Sequence, residues 1–190
     1  MNNLKTVISL ILITLVFVQC SRENPLLIEK NRVGLISNND IIGDIESIFK
    51  NDSIVTNLSE GDLGSSNSRF IQDNDEYLIY SKEGKHLMTI VPKKQHDSTS
   101  TIKYVQIMDA QFITEKGLNL NSLFKDINVN YMINKVETTL SSATLYIDEL
   151  NATIALDKSE IGVNQFSRKE IKIEQIPDLV KIKYFTIWFD

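Results

Sequence analysis

Ile182-Lys183-Tyr184-Phe185-Thr186-Ile187-Trp188-Phe189 lies at the end of a chain of 190 residues. Ile102-Lys103-Tyr104-Val105-Gln106-Ile107 stands 80 positions earlier with the same Ile-Lys-Tyr start and the same closing Ile. Both stretches are dense in β-branched and aromatic residues and read as strands. Successive side chains of a strand face opposite sides. Val105, Ile107, Phe185, Ile187 and Phe189 are therefore expected on one face, toward the helices. Ile102, Tyr104, Ile182, Tyr184 and Trp188 are expected on the other. Tyr80 and Tyr146 join that second face from neighbouring hairpins. A face rich in Tyr and Trp suits partner binding, because these residues dominate interaction hot spots. Tyr80, Tyr104, Tyr146, Tyr184 and Trp188 are the candidate partner surface; the competing expectation is that this face packs inside the molecule.

Working outward, other landmarks repeat in the same order. Gly34-Leu35 and Gly117-Leu118 stand 83 positions apart, and Asp44-Ile45 and Asp126-Ile127 stand 82 apart, as do Phe49 and Tyr131. Asn39 or Asp40 could cap a helix over 41–50, with Ile41, Ile45, Ile48 and Phe49 at helical spacing. Asn121 or Ser122 could cap a second, with Leu123, Phe124 and Ile127 on one face. Hairpins are predicted over 76–91, around Gly84, and over 144–157, around Glu149-Leu150-Asn151-Ala152. Shared order at a near-constant offset predicts an internal duplication. Units of this size bury little surface alone, so the two are expected to pack as one body.

The first residues read as an export signal. Lys5 supplies one positive charge, and 7–18 is apolar except for Ser9 and Thr14. That run is too short to span a bilayer as a helix and fits a signal-peptide core. It ends at Phe17-Val18-Gln19-Cys20, which holds the single cysteine of the chain. A lone Cys there resembles the lipobox of bacterial lipoproteins, although Gln19 stands where that family prefers a small residue. The resemblance implies diacylglycerol on Cys20, and two acyl chains hold a protein to a membrane stably where one does not. Removing 1–19 leaves 19 Lys and Arg against 25 Asp and Glu, a net charge of −6. The segment 20–33 is expected as a lipidated tether, with 26–33 either finishing it or beginning the fold.

Thr114-Glu115-Lys116-Gly117, Glu149-Leu150-Asn151 and Ile176-Pro177-Asp178 resemble segments of uncharacterised Bacteroidetes lipoproteins. The order of helix, hairpin and closing strand resembles the architecture of the β-lactamase inhibitor protein and the BamE-like assembly lipoproteins. Together these readings predict an α+β fold: two tandem related units, 34–110 and 111–190, each a short helix packed on a small antiparallel sheet. Asp52-Ser53-Ile54 and Asp97-Ser98-Thr99 resemble the O-glycosylation sequon of exported Bacteroidetes proteins, which implies Ser53 and Ser98 as acceptors.

Chemistry is sparse. One Cys excludes a disulfide framework or a cysteine-rich zinc site, and two His make a zinc centre improbable. The acidic balance of 25 Asp and Glu to 20 Lys and Arg argues against nucleic acid. His96-Asp97-Ser98 contains the residue types of a nucleophilic triad, but neighbours in sequence cannot supply its geometry. His86 reads as a solvated edge residue at the start of a strand. Asp73-Asn74-Asp75-Glu76 lacks the calcium-loop spacing and reads as a solvated acidic turn. No catalytic, cofactor-binding or metal-binding residue is expected. The expected function is non-enzymatic: an exported lipoprotein in the cell envelope, at the outer membrane, held through the lipid on Cys20 and binding a protein or envelope component. The alternatives are an inhibitor of an exported hydrolase and a small hydrolase using carboxylates.

Overall fold

A computed structural model describes residues 24–59, 74–164, 167 and 169–190. Cys20 and the rest of the export signal lie outside the described residues. The fold starts earlier than Gly34: the segment 26–33 begins it. Strands β1 (Leu27–Glu29), β2 (Arg32–Val33) and β3 (Ile36–Ser37) form successive antiparallel pairs. Gly34 joins the last two with φ +59°, where a Cβ would stand 2.4 Å from the Pro25 carbonyl oxygen. Only glycine meets both demands.

The chain then runs through helix α1 (Ile45–Ile48) into β4 (Ser53–Asn57), β5 (Glu76–Tyr80), β6 (His86–Pro92) and β7 (Ile102–Ile107). Strand β8 (Ile113–Thr114) follows and pairs parallel with β1, closing a four-stranded sheet of order β3-β2-β1-β8. Helix α2 (Phe124–Asn130) leads to β9 (Lys135–Thr138), β10 (Ser142–Ile147) and β11 (Ala152–Asp157). Helix α3 (Lys158–Ile161) and a long connection precede β12 (Ile182–Trp188). The second sheet has eight strands in the order β4-β5-β6-β7-β12-β11-β10-β9, and every neighbouring pair is antiparallel.

This architecture overturns the α+β expectation of a helix on a small sheet in each half. The molecule is mostly β. The two stretches that opened the sequence reading, β7 and β12, pair with each other, so the two meanders form one continuous sheet. Gln106 faces Thr186, its own counterpart 80 positions on, and Val105 and Ile107 face Ile187 and Phe185. The pairing is thus two-fold about Gln106–Thr186. Among the described residues the α-helices are four, seven and four residues long, too short to form a layer. At the first, Ile42–Asp44 is a 3₁₀ turn whose Ile42 and Gly43 N–H groups bond the Ser100 and Ser98 carbonyls. A start tied to that loop, with Gly43 inside it, leaves one α-helical turn. At the second, Leu123 is the N-cap, and the Asp126 carboxylate accepts its N–H at 2.8 Å. Ser122 bonds the Asn119 N–H instead.

One apolar cluster fills the space between the two sheets. It joins Ile28, Val33 and Ile36 of the small sheet to Ile79, Ile90, Val105, Phe185 and Ile187 of the large one. Phe124, Ile127 and Tyr131 enter it from the α2 region. The five residues expected on the inner face, Val105, Ile107, Phe185, Ile187 and Phe189, are all buried.

Ile102 and Ile182 are buried as well, against expectation, at 0% and 8% exposed. The cause is a repeated bulge. Val91 and Pro92 face Tyr104 and Ile102, so Lys103 is an extra residue; Ala155 and Leu156 face Tyr184 and Ile182, so Lys183 is another. An extra residue reverses the alternation. Each Ile therefore turns inward, while the Tyr two places on stays outward.

The segments resembling Bacteroidetes lipoproteins serve the fold. Lys116 pairs with Glu149, donates to the Asn130 carbonyl at 2.9 Å and lies 4.5 Å from the centre of the Tyr131 ring. The Tyr131 hydroxyl donates to Thr114 Oγ1 at 2.6 Å. Asp178 accepts the Lys125 N–H through its carbonyl at 3.0 Å, fixing the start of α2.

Candidate functional site

The large sheet has one face on the core and one face open. Along the open face, Thr89, Gln106, Thr186, Thr153 and Tyr146 follow one another from β6 to β10 by direct register. On one side of this row Trp188 faces Tyr104, with ring centres 4.9 Å apart and planes inclined at 53°. On the other side Tyr184 faces Ala155, which faces Thr144. All of these except Thr89 and Tyr146, together with Ser142, line a groove of about 540 Å³. Trp188 lies four residue steps along the strand from Tyr184, so the aromatic walls stand about 13 Å apart.

Three of the five residues expected on a partner surface meet here: Tyr104, Tyr184 and Trp188. Tyr184 is 47% exposed, and Tyr104 and Trp188 are half-buried. The other two are engaged elsewhere. Tyr80 stacks on His86 with ring centres 4.7 Å apart. The Tyr146 hydroxyl donates to Glu137, which raises its pKa, and Lys135 lies 5.2 Å from the centre of its ring.

Among the described residues, the lining carries no charged side chain. The Trp188 indole N–H donates to Thr153 Oγ1 at 3.0 Å, which fixes the ring and leaves its face to the groove. Among the described residues, the Gln106 amide, the Thr144 and Thr186 hydroxyls and the Tyr184 phenol have no partner within the chain. Burial, then the charge of Glu76, holds the Tyr104 phenol above its usual value, so it stays protonated at neutral pH. At the rim, Lys183 donates to Asp157 at 2.9 Å. That bond and the Ser159 hydroxyl and N–H hold the Asp157 carboxyl down to about 2. It is ionised and matched at neutral pH, so it offers no proton for general acid catalysis.

A second polar cluster went unread in the sequence. Asp75, expected in a solvated turn, is fully buried. Its Oδ1 accepts the Ser59 N–H at 2.8 Å and the Ser59 hydroxyl at 2.9 Å, and its Oδ2 accepts the His96 N–H at 2.5 Å. His96 Nε2 is 3.1 Å from Ser59 Oγ, and its Nδ1 is 3.9 Å from Asp75 Oδ1. The residue types are those of a triad, but the wiring differs. Ser59 Oγ also lies 3.0 Å from Gln95 Oε1, and the carboxylate meets the hydroxyl directly instead of through the imidazole, which is not the serial order of a triad. Ser59 is 5% exposed, which closes it to a substrate. The cluster is a clamp between the end of β4 and the loop after β6. Asp97 does not serve His96, because its Oδ1 accepts the Thr99 N–H and hydroxyl at 2.9 and 2.6 Å. Residues 16 and 37 positions from Ser59 gave no local signal of meeting it.

Burial pushes the Asp75 carboxyl up, but the His96 and Ser59 donors outweigh it and hold the value below the usual one. The unfolded chain therefore binds more protons near pH 4, and stability falls as pH drops through that region. Asp75→Asn is expected to cost about 1–3 kcal/mol at neutral pH. It should also shrink the loss of Tm between about pH 6 and pH 3. Thermal melts across that range test it; parallel pH profiles for the two proteins would refute the assignment.

His86 is half-buried within β6, not solvated, with Nε2 3.1 Å from Thr89 Oγ1. Ser53 and Ser98 are exposed, at the start of edge strand β4 and in the loop before β7. Among the described residues no group of three His, Cys, Asp or Glu is placed to hold a metal ion. Among them, too, no helix is long and apolar enough to cross a membrane.

No family model matches the chain. No curated protein matches it either. The crystal structure of the uncharacterized protein yfeY from Escherichia coli is similar over 86% of this chain and 99% of that one, at 10% identity and a TM-score of 0.49. A likeness so distant carries nothing about what either protein binds.

Proposed function

We propose that the chain is an exported lipoprotein, tethered through Cys20, whose open sheet face holds a component of the cell envelope without reacting with it. The observation that carries this reading is the groove. Its aromatic walls are accessible and its hydrogen-bonding groups are unspent, as in a binding site. A catalytic reading finds less support. In the Ser59–Asp75–His96 cluster the carboxylate sits directly on a buried serine, and the rim carboxylate Asp157 is ionised and paired. The tether would keep the groove within reach of the membrane surface.

Two experiments on the full chain test it. Cys20→Ser should move the protein from the membrane to the soluble fraction; retention in the membrane overturns the tether. A photoreactive benzoylphenylalanine in place of Thr144 should crosslink one envelope component in native membranes, and Trp188→Ala should abolish the adduct. Absence of any adduct, or an adduct indifferent to Trp188, overturns the binding face.

A further inference from the structure

We infer that the groove takes a neutral oligosaccharide, an inference that rests on the binding reading above and gives its ligand a chemical class. The chain carries a net charge of −5, yet among the described residues no charged side chain lines the groove. Around the lining, Lys183 pairs with Asp157 and Lys135 with Glu137, which stands opposite Thr144, while Glu76 acts on the Tyr104 phenol. An ionic ligand would leave water for a described lining with no charge to pair it, and that cost is not recovered. A purely apolar ligand would strand the Gln106, Thr144 and Thr186 side chains, which have no partner among the described residues.

A sugar meets both conditions. Its ring presents axial C–H groups to the face of an aromatic side chain, a contact of the weak C–H donor kind. Its hydroxyls both donate and accept, matching the amide of Gln106 and the hydroxyls of Thr144, Thr153 and Thr186. Thr153 already accepts from Trp188 and retains its own proton to give. The aromatic walls lie about 13 Å apart by strand rise, which accommodates more than one pyranose ring between Trp188 and Tyr184. The order along β12 is then stacking at Trp188, hydrogen bonding at Thr186 and stacking at Tyr184.

Trp188 is the only tryptophan of the chain, so its fluorescence reports this groove alone. Maltohexaose, cellohexaose, xylohexaose and mannohexaose are titrated to about 10 mM, with hexagalacturonate as the charged comparison. At least one neutral sugar should shift the emission to the blue, saturably, and shield Trp188 from acrylamide. Tyr184→Ala removes an exposed ring, so the fold should persist by circular dichroism while binding weakens about tenfold. Affinity should not change with added salt. Silence with all four neutral sugars overturns the inference, as does tighter, salt-dependent binding of hexagalacturonate. The photocrosslink from position 144 separates the two failures. A protein adduct with a silent sugar series overturns the saccharide and leaves the binding reading; silence in both overturns both.

Discussion

Lys158→Met is expected to destabilise the protein by about 2–3 kcal/mol, although it replaces a charged side chain by an apolar one of similar length. Lys158 is fully buried at the start of α3. A cation there opposes the helix dipole, so the helix is not the reason for it. Its ammonium donates to three carbonyls: Thr139, Leu140 at 3.4 Å and Ser167 at 2.7 Å. Three donors meet three acceptors from two loops, which ties the β9–β10 turn to the connection before β12. Methionine removes the cost of burying the charge but leaves those acceptors without a donor. Thr139 and Leu140 are exposed residues, so water recovers part of the loss, and the expected cost stays below that of a wholly enclosed pair. Lys158→Arg should recover little, because a planar guanidinium cannot cap three convergent carbonyls. Urea melts with unchanged m-values measure both. A methionine variant within about 0.5 kcal/mol of the parent would show that the ammonium is dispensable.

The effect should reach the groove. Ser142 and Thr144 line it from β10, and the Lys158 N–H bonds the Ser141 carbonyl just before that strand. Loss of the ammonium should raise amide exchange in β9 and β10 before it does so in β6 or β7.

Lys158 also shows what local reading cannot reach. In Asp157-Lys158-Ser159-Glu160 it looks like any surface lysine, and only the return of the chain at Ser167 encloses it. Elements defined by neighbours in sequence were legible. Gly84 and Asn151 occupy left-handed positions, with φ of +80° and +49°, in the two hairpins their sequences announce. The alternation of β12 correctly separated Phe185 and Ile187 from Tyr184 and Trp188. It failed at Ile102 and Ile182, because a bulge at Lys103 or Lys183 leaves composition and spacing unchanged. The helix over 41–50 was overread for a related reason: Ile41, Ile45, Ile48 and Phe49 have helical spacing, but bonds to Ser98 and Ser100 decide where the helix starts. The groove was half legible. Its aromatics stood in the pattern, whereas the neutrality of its floor depends on which strands become neighbours. That same question separated one sheet from two, and no local signal answers it.

Phe185→Ala should cost about 3–5 kcal/mol, the range for a fully buried aromatic truncated in a packed core. Phe185 is 0% exposed and lies between Ile107 on β7 and Ile154 on β11, beside the centre of the sheet. What distinguishes a continuous sheet from two adjoining ones is where that cost appears. Two units with separate cores would lose protection in β10, β11 and β12 and keep it in β5 and β6. Here one apolar cluster contains Ile79 and Ile90 as well as Leu145 and Ile154, and the β7–β12 ladder joins the halves by backbone bonds. Opening that ladder would expose two strand edges and the cluster together, and a half sheet has too little remaining core to pay for its own order. The slowest amides of β6 and β11 should therefore lose protection by the same free energy in Phe185→Ala, through one shared opening. Exchange read separately on peptides from β6 and β11 decides it. Equal losses place both meanders in one cooperative unit, and a loss confined to β11 would divide the sheet at Gln106–Thr186.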